Sequence, residues 1–249
     1  MKVLLINGSP HEKGCTYTAL SEAASALNEN GVDTAIVWIG NKAIHGCIAC
    51  GGCAKTGRCV FDDGVNEISD KMAGSDGLIV GTPVYYASPN GSLYCLLDRL
   101  FGICPSLAHK PAAAVASARR GGTTAALDGL NKYFTFKQMP VVSSTYWNNV
   151  HGSKPEDVMK DEEGLQTMRN LGTNMAWLIK CIEAGKNAGI PVPDTAGKIK
   201  TIFIRKKNDV LRPLGGDIFF YSLRRPHPPG APQAAAPPPV RSAIVTLPR

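Results

Sequence analysis

Long apolar runs are missing from this 249-residue chain. None approaches the ~20 residues that span a bilayer, so no membrane partner is expected. The first residues, Met1-Lys2-Val3-Leu4-Leu5-Ile6, offer only four strongly apolar side chains in a row, whereas a secretory core needs roughly 7–15. The expectation is therefore a soluble, cytoplasmic protein. Aromatic residues reach only 7% and charged residues 19%, against 44% apolar. This balance excludes a coiled coil and a collagen-like chain and supports a sizeable core. No internal repeat is present, and neither Gly-x-Gly-x-x-Gly nor a Walker A sequence follows the first strand-like run. A dinucleotide fingerprint is thus absent where that fingerprint would stand.

Charge of one sign is in excess, but unevenly. Of the net +7, +5 comes from residues 206–249, which hold seven basic residues and two acids. A nearly neutral body with a basic tail does not describe a nucleic-acid domain. The tail is also a compositional break, with eight of the 18 prolines between Arg224 and Arg249. Such a segment buries too little apolar surface to offset ordering. Residues 1–205 are read as one domain and 206–249 as a tail, disordered from about 224.

In the body, strand and helix signals alternate. Short apolar runs at 2–6, 34–38, 77–80, 112–116 and 140–143 read as strands. Leu20, Ala24 and Leu27 mark a first helix, and Val65, Ile68 and Met72 a second. Ser88-Pro89 reads as N-cap and first residue of a third, with a stripe of Leu93, Leu96, Leu97 and Leu100. Residues 122–136 form a fourth helix, and Leu165, Met168, Leu171, Met175, Leu178 and Ile182 step along a long fifth. Strands alternating with helices of these lengths imply an α/β three-layer sandwich around a parallel sheet. Five strands suggest the flavodoxin-like order 2-1-3-4-5, with ligands at the carboxyl edge. The loops that gather there are 7–18, 39–63, 81–91 and 117–122.

The first loop, Asn7-Gly8-Ser9-Pro10-His11-Glu12-Lys13-Gly14-Cys15-Thr16-Tyr17-Thr18, is small and hydroxyl-rich and runs into a helix at about Thr16. Free N–H groups and the helix dipole favour a phosphate there. Ser9, Thr16 and Thr18 hydroxyls and the Cys15 N–H can add donors, although the same residues could simply cap a loop. The third loop carries Pro83, Val84, Tyr85 and Tyr86, a stiff wall on which a flat ring could stack, or a packed aromatic corner. The fourth brings Ser117, Arg119, Arg120, Gly121 and Gly122, suited to an anion or to plain solvated surface. Together they describe one ligand with a single phosphate and a planar ring, as in flavin mononucleotide (FMN).

The second loop holds Cys47, Cys50, Cys53 and Cys59, a C-x2-C-x2-C-x5-C array interleaved with Gly46, Gly51, Gly52 and Gly57. Disulfides do not suit the expected compartment, and structural zinc usually takes two separated pairs. Three cysteines at two-residue gaps suit a [4Fe–4S] cluster first, an empty or partly used loop second, and zinc third. Cys15, Cys95, Cys104 and Cys181 read as small core residues, and His45 as a loop side chain.

At these residues the chain resembles the NAD(P)H-dependent FMN reductases of the flavodoxin-like group and, more narrowly, the iron-sulfur flavoproteins. The matching stretches are Asn7-Gly8-Ser9-Pro10, the cysteine array ending in Asp62-Asp63, Gly81-Thr82-Pro83-Val84-Tyr85-Tyr86, Ser117–Thr124 and Tyr146-Trp147-Asn148. The resemblance covers residues 1 to about 205 and implies FMN at the carboxyl edge. Ser9, Cys15, Thr16, Tyr17 and Thr18 would hold the phosphate, and Pro83, Val84, Tyr85 and Tyr86 would line the ring. Ser117, Arg119, Gly121 and Gly122 would face its other end. It further implies a cluster on Cys47, Cys50, Cys53 and Cys59, and a homodimer or homotetramer. NAD(P)H or a ferredoxin-type donor would supply electrons for a small-molecule or protein acceptor. No catalytic side chain is assigned, because the flavin carries the chemistry. The rivals are a cluster-free quinone, azo or nitro reductase, a non-enzymatic electron carrier, and a cysteine module without flavin.

Overall fold

A computed structural model describes residues 1–104 and 107–195. The tail from 206, including the segment read as disordered, lies outside them. Five parallel strands, β1 (Lys2–Asn7), β2 (Asp33–Trp38), β3 (Gly77–Pro83), β4 (Ala112–Ala118) and β5 (Asn149–His151), form one sheet of order β2-β1-β3-β4-β5. β1 lies between β2 and β3, with Leu5 paired to Ile36 on one side and to Ile79 on the other.

The central strands are apolar on both faces because both faces are covered. Leu4, Ile6, Leu78, Val80 and Ala114 pack with α3 (Val65–Ala73), α4 (Gly91–Ile103) and α5 (Thr123–Phe136). Val3, Leu5, Ile79, Ala113 and Val115 pack with α1 (Cys15–Glu29) and α7 (Glu162–Asn187). α1 and α7 meet closely at Gly172, where a Cβ would stand 2.8 Å from Ala26 Cβ and press on the Ala23 carbonyl. Gly81 lets α1 approach β3 in the same way: a Cβ there would lie 2.8 Å from Leu20 and 2.9 Å from Thr16. Two short helices that apolar periodicity does not reveal, α2 (Gly52–Thr56) and α6 (Pro155–Val158), complete the set. Among the described residues no helix is long and apolar enough to cross a membrane.

Two local expectations are corrected. Residues 140–143 are not the fifth strand. They meet the sheet only at the start of β4, through an isolated Ala112–Val141 bridge and bonds of Ala112 N–H to Pro140 O at 2.9 Å and of Val142 N–H to Ala112 O at 2.8 Å. The chain then leaves the sheet and returns as β5, with Asn149 beside Ala116. Ser143, Ser144 and Thr145 explain the detour. Ser144 Oγ bonds Tyr146 O and Asn148 Oδ1, each at 2.7 Å, and Asn174 of α7 donates to Ser143 O at 2.8 Å. Such local and side-chain bonds compete with the ladder. Likewise α4 is capped by Asn90 rather than Ser88. Asn90 Oδ1 accepts from Ser92 N–H at 3.1 Å, while Ser88 is taken up in a tight turn with Tyr85.

Candidate functional site

The carboxyl ends of β1, β3 and β4 carry the first, third and fourth loops to one edge. The first loop is shaped from inside. Asn7 Nδ2 donates to Glu12 O at 2.9 Å, Asn7 Oδ1 accepts from Ser9 N–H at 3.1 Å, and Trp38 Nε1 donates to Ser9 O at 2.7 Å. The loop runs into α1 at Gly14, which gives no side-chain cap, and the first turn of α1 holds no acid. The N-terminal N–H groups therefore have no side-chain cap, the condition that favours an anion. A cleft of about 570 Å³ opens over this loop, lined by His11, Lys13, Cys15, Trp38 and Lys154 among others.

The side chains expected at the phosphate take different parts. Ser9 is buried and its Oγ accepts from His11 N–H at 3.1 Å, which leaves its proton for a ligand. Thr18 Oγ1 donates to Gly14 O at 3.3 Å and is spent inside the helix. Thr16 is buried, and its hydroxyl meets Ser117 Oγ at 2.8 Å, tying the first loop to the fourth. Cys15 turns its sulfur toward Gly152 O at 3.7 Å. Burial, reinforced by Asp157 and Glu156, holds its thiol above the ordinary value despite a backbone bond that lowers it. Cys15 can therefore offer its N–H, not a thiolate. Tyr17 lies under Lys13 Nζ, 5.8 Å from the ring centre.

The third and fourth loops are built against each other. Asn90 joins three segments: its N–H donates to Thr82 Oγ1 at 3.0 Å and its Nδ2 to Gly8 O at 2.8 Å, while its Oδ1 caps α4. Tyr85 and Ser88 exchange both backbone bonds, at 2.8 and 3.0 Å. Tyr86 and Ala87 turn the chain between them with φ of 51° and 60°. Two non-glycine residues in the left-handed region are a strained choice, and such strain collects at ligand edges. The turn leaves the Tyr86 side chain fully exposed and Tyr85 partly so. Pro83 ends β3 beside Ser117, and the N–H of the following Val84 is bonded to Ser117 O at 3.0 Å. Gly122, at φ 95°, packs so closely on Ala87 that a Cβ would lie 2.9 Å from its Cα. Arg119, Arg120 and Gly121 are exposed, and neither arginine has an ion-pair partner among the described residues. The uncapped α1 start, the aromatic turn and the two arginines thus share one edge.

The cysteine array lies between β2 and α3. Left-handed Ala49, Gly51 and Gly57 turn the chain around α2. Cys47 and Cys50 are exposed, Cys53 and Cys59 half-buried, and all four are free thiols. Four soft donors in one loop suit an iron–sulfur cluster in kind and number. Their sulfurs are not gathered, however: among the described residues no three His, Cys, Asp or Glu side chains stand together as a metal site. Arg99 of α4 lies behind the loop. Its Nη1 and Nη2 bond Asp63 Oδ1 and Oδ2 at 2.9 and 2.7 Å, and Nη1 also donates to Cys59 Sγ at 3.4 Å. Burial alone would push the Asp63 carboxyl up, but the Arg99 bonds and the His45 N–H outweigh it and hold the carboxyl below its usual range. Burial would lower the Arg99 value too, and its bonds to Asp63 and Cys59 raise it instead. Arg99, Trp38 and Lys154 escaped the sequence reading. The available signal for Arg99 was a cation between Leu96 and Leu100 of an apolar stripe.

A doubly wound sheet of this order with its ligand edge so arranged defines a flavodoxin-like protein. Solved structures agree on the fold. The structure of RosB with an 8-demethyl-8-formylriboflavin-5'-phosphate intermediate superposes with a TM-score of 0.59 at 14% identity, covering 84% of this chain and 98% of that one. An apo NADH:FMN oxidoreductase gives 0.53 at 22% identity, covering 71% and 88%, and an archaeal flavodoxin 0.51 at 15% identity, covering 72% and 99%. By sequence, residues 1–154 match the NADPH-dependent FMN reductase family, and the chain belongs to it. An iron-sulfur flavoprotein of Methanocaldococcus jannaschii is 35% identical over 192 residues, 74% of this chain and all of that protein. One from Methanosarcina thermophila is 28% identical over 193 residues, 75% of this chain and again all of that protein. The protein is an FMN-dependent oxidoreductase of the FMN reductase type.

Proposed function

We propose that this oxidoreductase takes electrons from NAD(P)H or a ferredoxin-type donor at FMN and delivers them, by way of a [4Fe–4S] cluster on Cys47, Cys50, Cys53 and Cys59, to a small-molecule or protein acceptor. The observation that carries the flavin assignment is the uncapped start of α1, joined through the Thr16–Ser117 bond to the loop of Arg119. Bound FMN supplies hydride acceptance and release of electrons one at a time. The N–H groups of Cys15, Thr16 and Tyr17 would hold its phosphate, with Lys13 and Lys154 nearby to balance the charge. Pro83, Val84, Tyr85 and Tyr86 would flank the ring and keep water from one side. Arg119 and the N–H groups of Gly121 and Gly122 would stabilise negative charge at the other end. Assembly as a homodimer or homotetramer is part of the proposal, and light scattering tests it.

The test has two arms. Cofactor released by heat should be FMN by mass, and anaerobic NADPH or NADH should bleach the bound flavin rapidly. FAD in stoichiometric amount, or a flavin bleached neither by a nicotinamide nor by a reduced ferredoxin-type protein, would reject the reading; bleaching by the protein donor alone would assign the donor. Ser117→Ala should weaken FMN binding by about 1 kcal/mol through the lost Thr16 bond. One observation favours a second reading: the four thiols stand apart. A cluster-free quinone, azo or nitro reductase follows if anaerobic preparations hold flavin but neither iron nor sulfide.

A further inference from the structure

Several groups converge behind the cysteine loop. Arg99 sits on α4 with a side chain only 2% exposed. A guanidinium leaves water only where its N–H groups are met. Nη1 and Nη2 fork onto Asp63, Nε reaches Cys95 O at 3.3 Å, and the remaining direction of Nη1 points at Cys59 Sγ at 3.4 Å. Asp63 also accepts His45 N–H at 3.0 Å. His45 precedes Cys47 and Asp63 follows Cys59, so this carboxylate ties the two ends of the loop together. Phe61 completes the joint, stacked on His45 at 4.2 Å and lying 5.7 Å below the guanidinium. Asn66 of α3 fixes the Cys59 peptide from both sides, at 2.8 and 3.0 Å. Cys47 and Cys50, by contrast, are exposed.

We propose that Arg99 is the positioning residue of the cysteine loop. Through Asp63 it closes both ends of the loop on α4, and through its N–H it holds the Cys59 sulfur as the fixed ligand on which the other three thiols gather. The inference rests on the reading that the loop carries an iron–sulfur cluster. An N–H aimed at a ligating sulfur draws charge from it and raises the potential of the centre. Lysine cannot replace the fork, because a single ammonium does not offer a planar pair of N–H groups to a carboxylate and another to a sulfur.

The full-length protein is reconstituted anaerobically with iron and sulfide as wild type, Arg99→Lys, Arg99→Met and the double variant Arg99→Met/Asp63→Leu. The double variant leaves neither charge buried and unpaired. All are expected to keep FMN. Iron retention against a chelator should fall roughly 10–100-fold in Arg99→Met and in the double variant, as it does when outer partners of metal ligands are removed. The cluster that remains in Arg99→Lys should have a lower potential than wild type, a change that a mere brace would not cause. Wild-type retention and potential in Arg99→Lys and the double variant would overturn the proposal. Loss of FMN together with iron in the double variant would do the same, since Arg99 would then serve the whole fold. If the wild type takes up no iron, the cluster reading fails, and alkylation of the reduced apoprotein decides for Arg99. At a pH above the thiol range, where the Arg99 charge no longer sets the thiolate fraction, iodoacetamide should then label Cys59 several-fold more slowly than Cys47, and Arg99→Met should erase the difference. Equal labelling in the wild type overturns the positioning role.

Discussion

Asp63 is the residue at which charge and fold are most tightly linked. Its carboxyl is held below the usual range by Arg99, so the folded state binds its proton less readily than the unfolded chain does. That stabilisation is complete above the ordinary carboxylate value near pH 4 and is lost as pH falls through the lower folded value. Asp63→Asn removes it and leaves the Arg99 charge unpaired. The variant should be less stable by about 3 kcal/mol at pH 7, and the gap from wild type should narrow steadily as pH falls below about 4. Urea denaturation across that range measures it; a gap independent of pH would show that Asp63 does not titrate with folding. A side chain's type and neighbours in sequence do not foretell such a pair. Asp63 and Arg99 are 36 positions apart, and only the packing of α4 behind the loop joins them.

At the scale of elements, apolar spacing identified the principal strands and helices well, apart from the fifth strand. β1, β3 and β4 are short and branched or alanine-rich between two covered layers, and α7 has the most regular apolar stripe of the chain. What spacing missed depended on polar side chains. Val141 and Val142 have the composition of a strand, but the hydroxyls that follow bond to nearby groups and end it. Ser88-Pro89 has the composition of a helix start, but Asn90 reaches Gly8 and Ser92 at once and takes the cap. α2 has five residues and α6 four, too few for a period to show. The α1–α7 contact offers a direct check. Gly172→Leu should force the two helices apart, lowering stability by about 1–3 kcal/mol and the melting temperature by several degrees. An unchanged melting temperature would mean that α7 shifts without cost.

For the molecule as a whole, the candidate site was legible to different depths. Its location, at the loops after β1, β3 and β4, follows from the order of the sheet, and Cys15, Thr16, Tyr86 and Arg119 all stand in those loops. Which groups face a ligand was not legible, since Thr16 and Thr18 carry the same hydroxyl and spend it differently. The strongly basic tail belongs to the same scale. Its proline content argues that removing 224–249 leaves flavin content and melting temperature nearly unchanged. A drop of many degrees would assign the tail a docking role.

The three-way joint at Asn90 has a thermodynamic consequence. Gly8 and the start of α4 are fastened to the Asn90 side-chain amide and Thr82 to its backbone N–H, and Thr16 is fastened to Ser117. The flavin edge therefore keeps its shape without depending on a ligand to order it. Binding then forfeits little chain entropy, so association can be quick and affinity is decided by the rate of escape. Hydrogen exchange at the amides of Gly8, Val84 and Asn90 should be slow in flavin-free protein and barely slower after FMN is added. A cradle already set in this way would take up flavin without the protein having to refold around it.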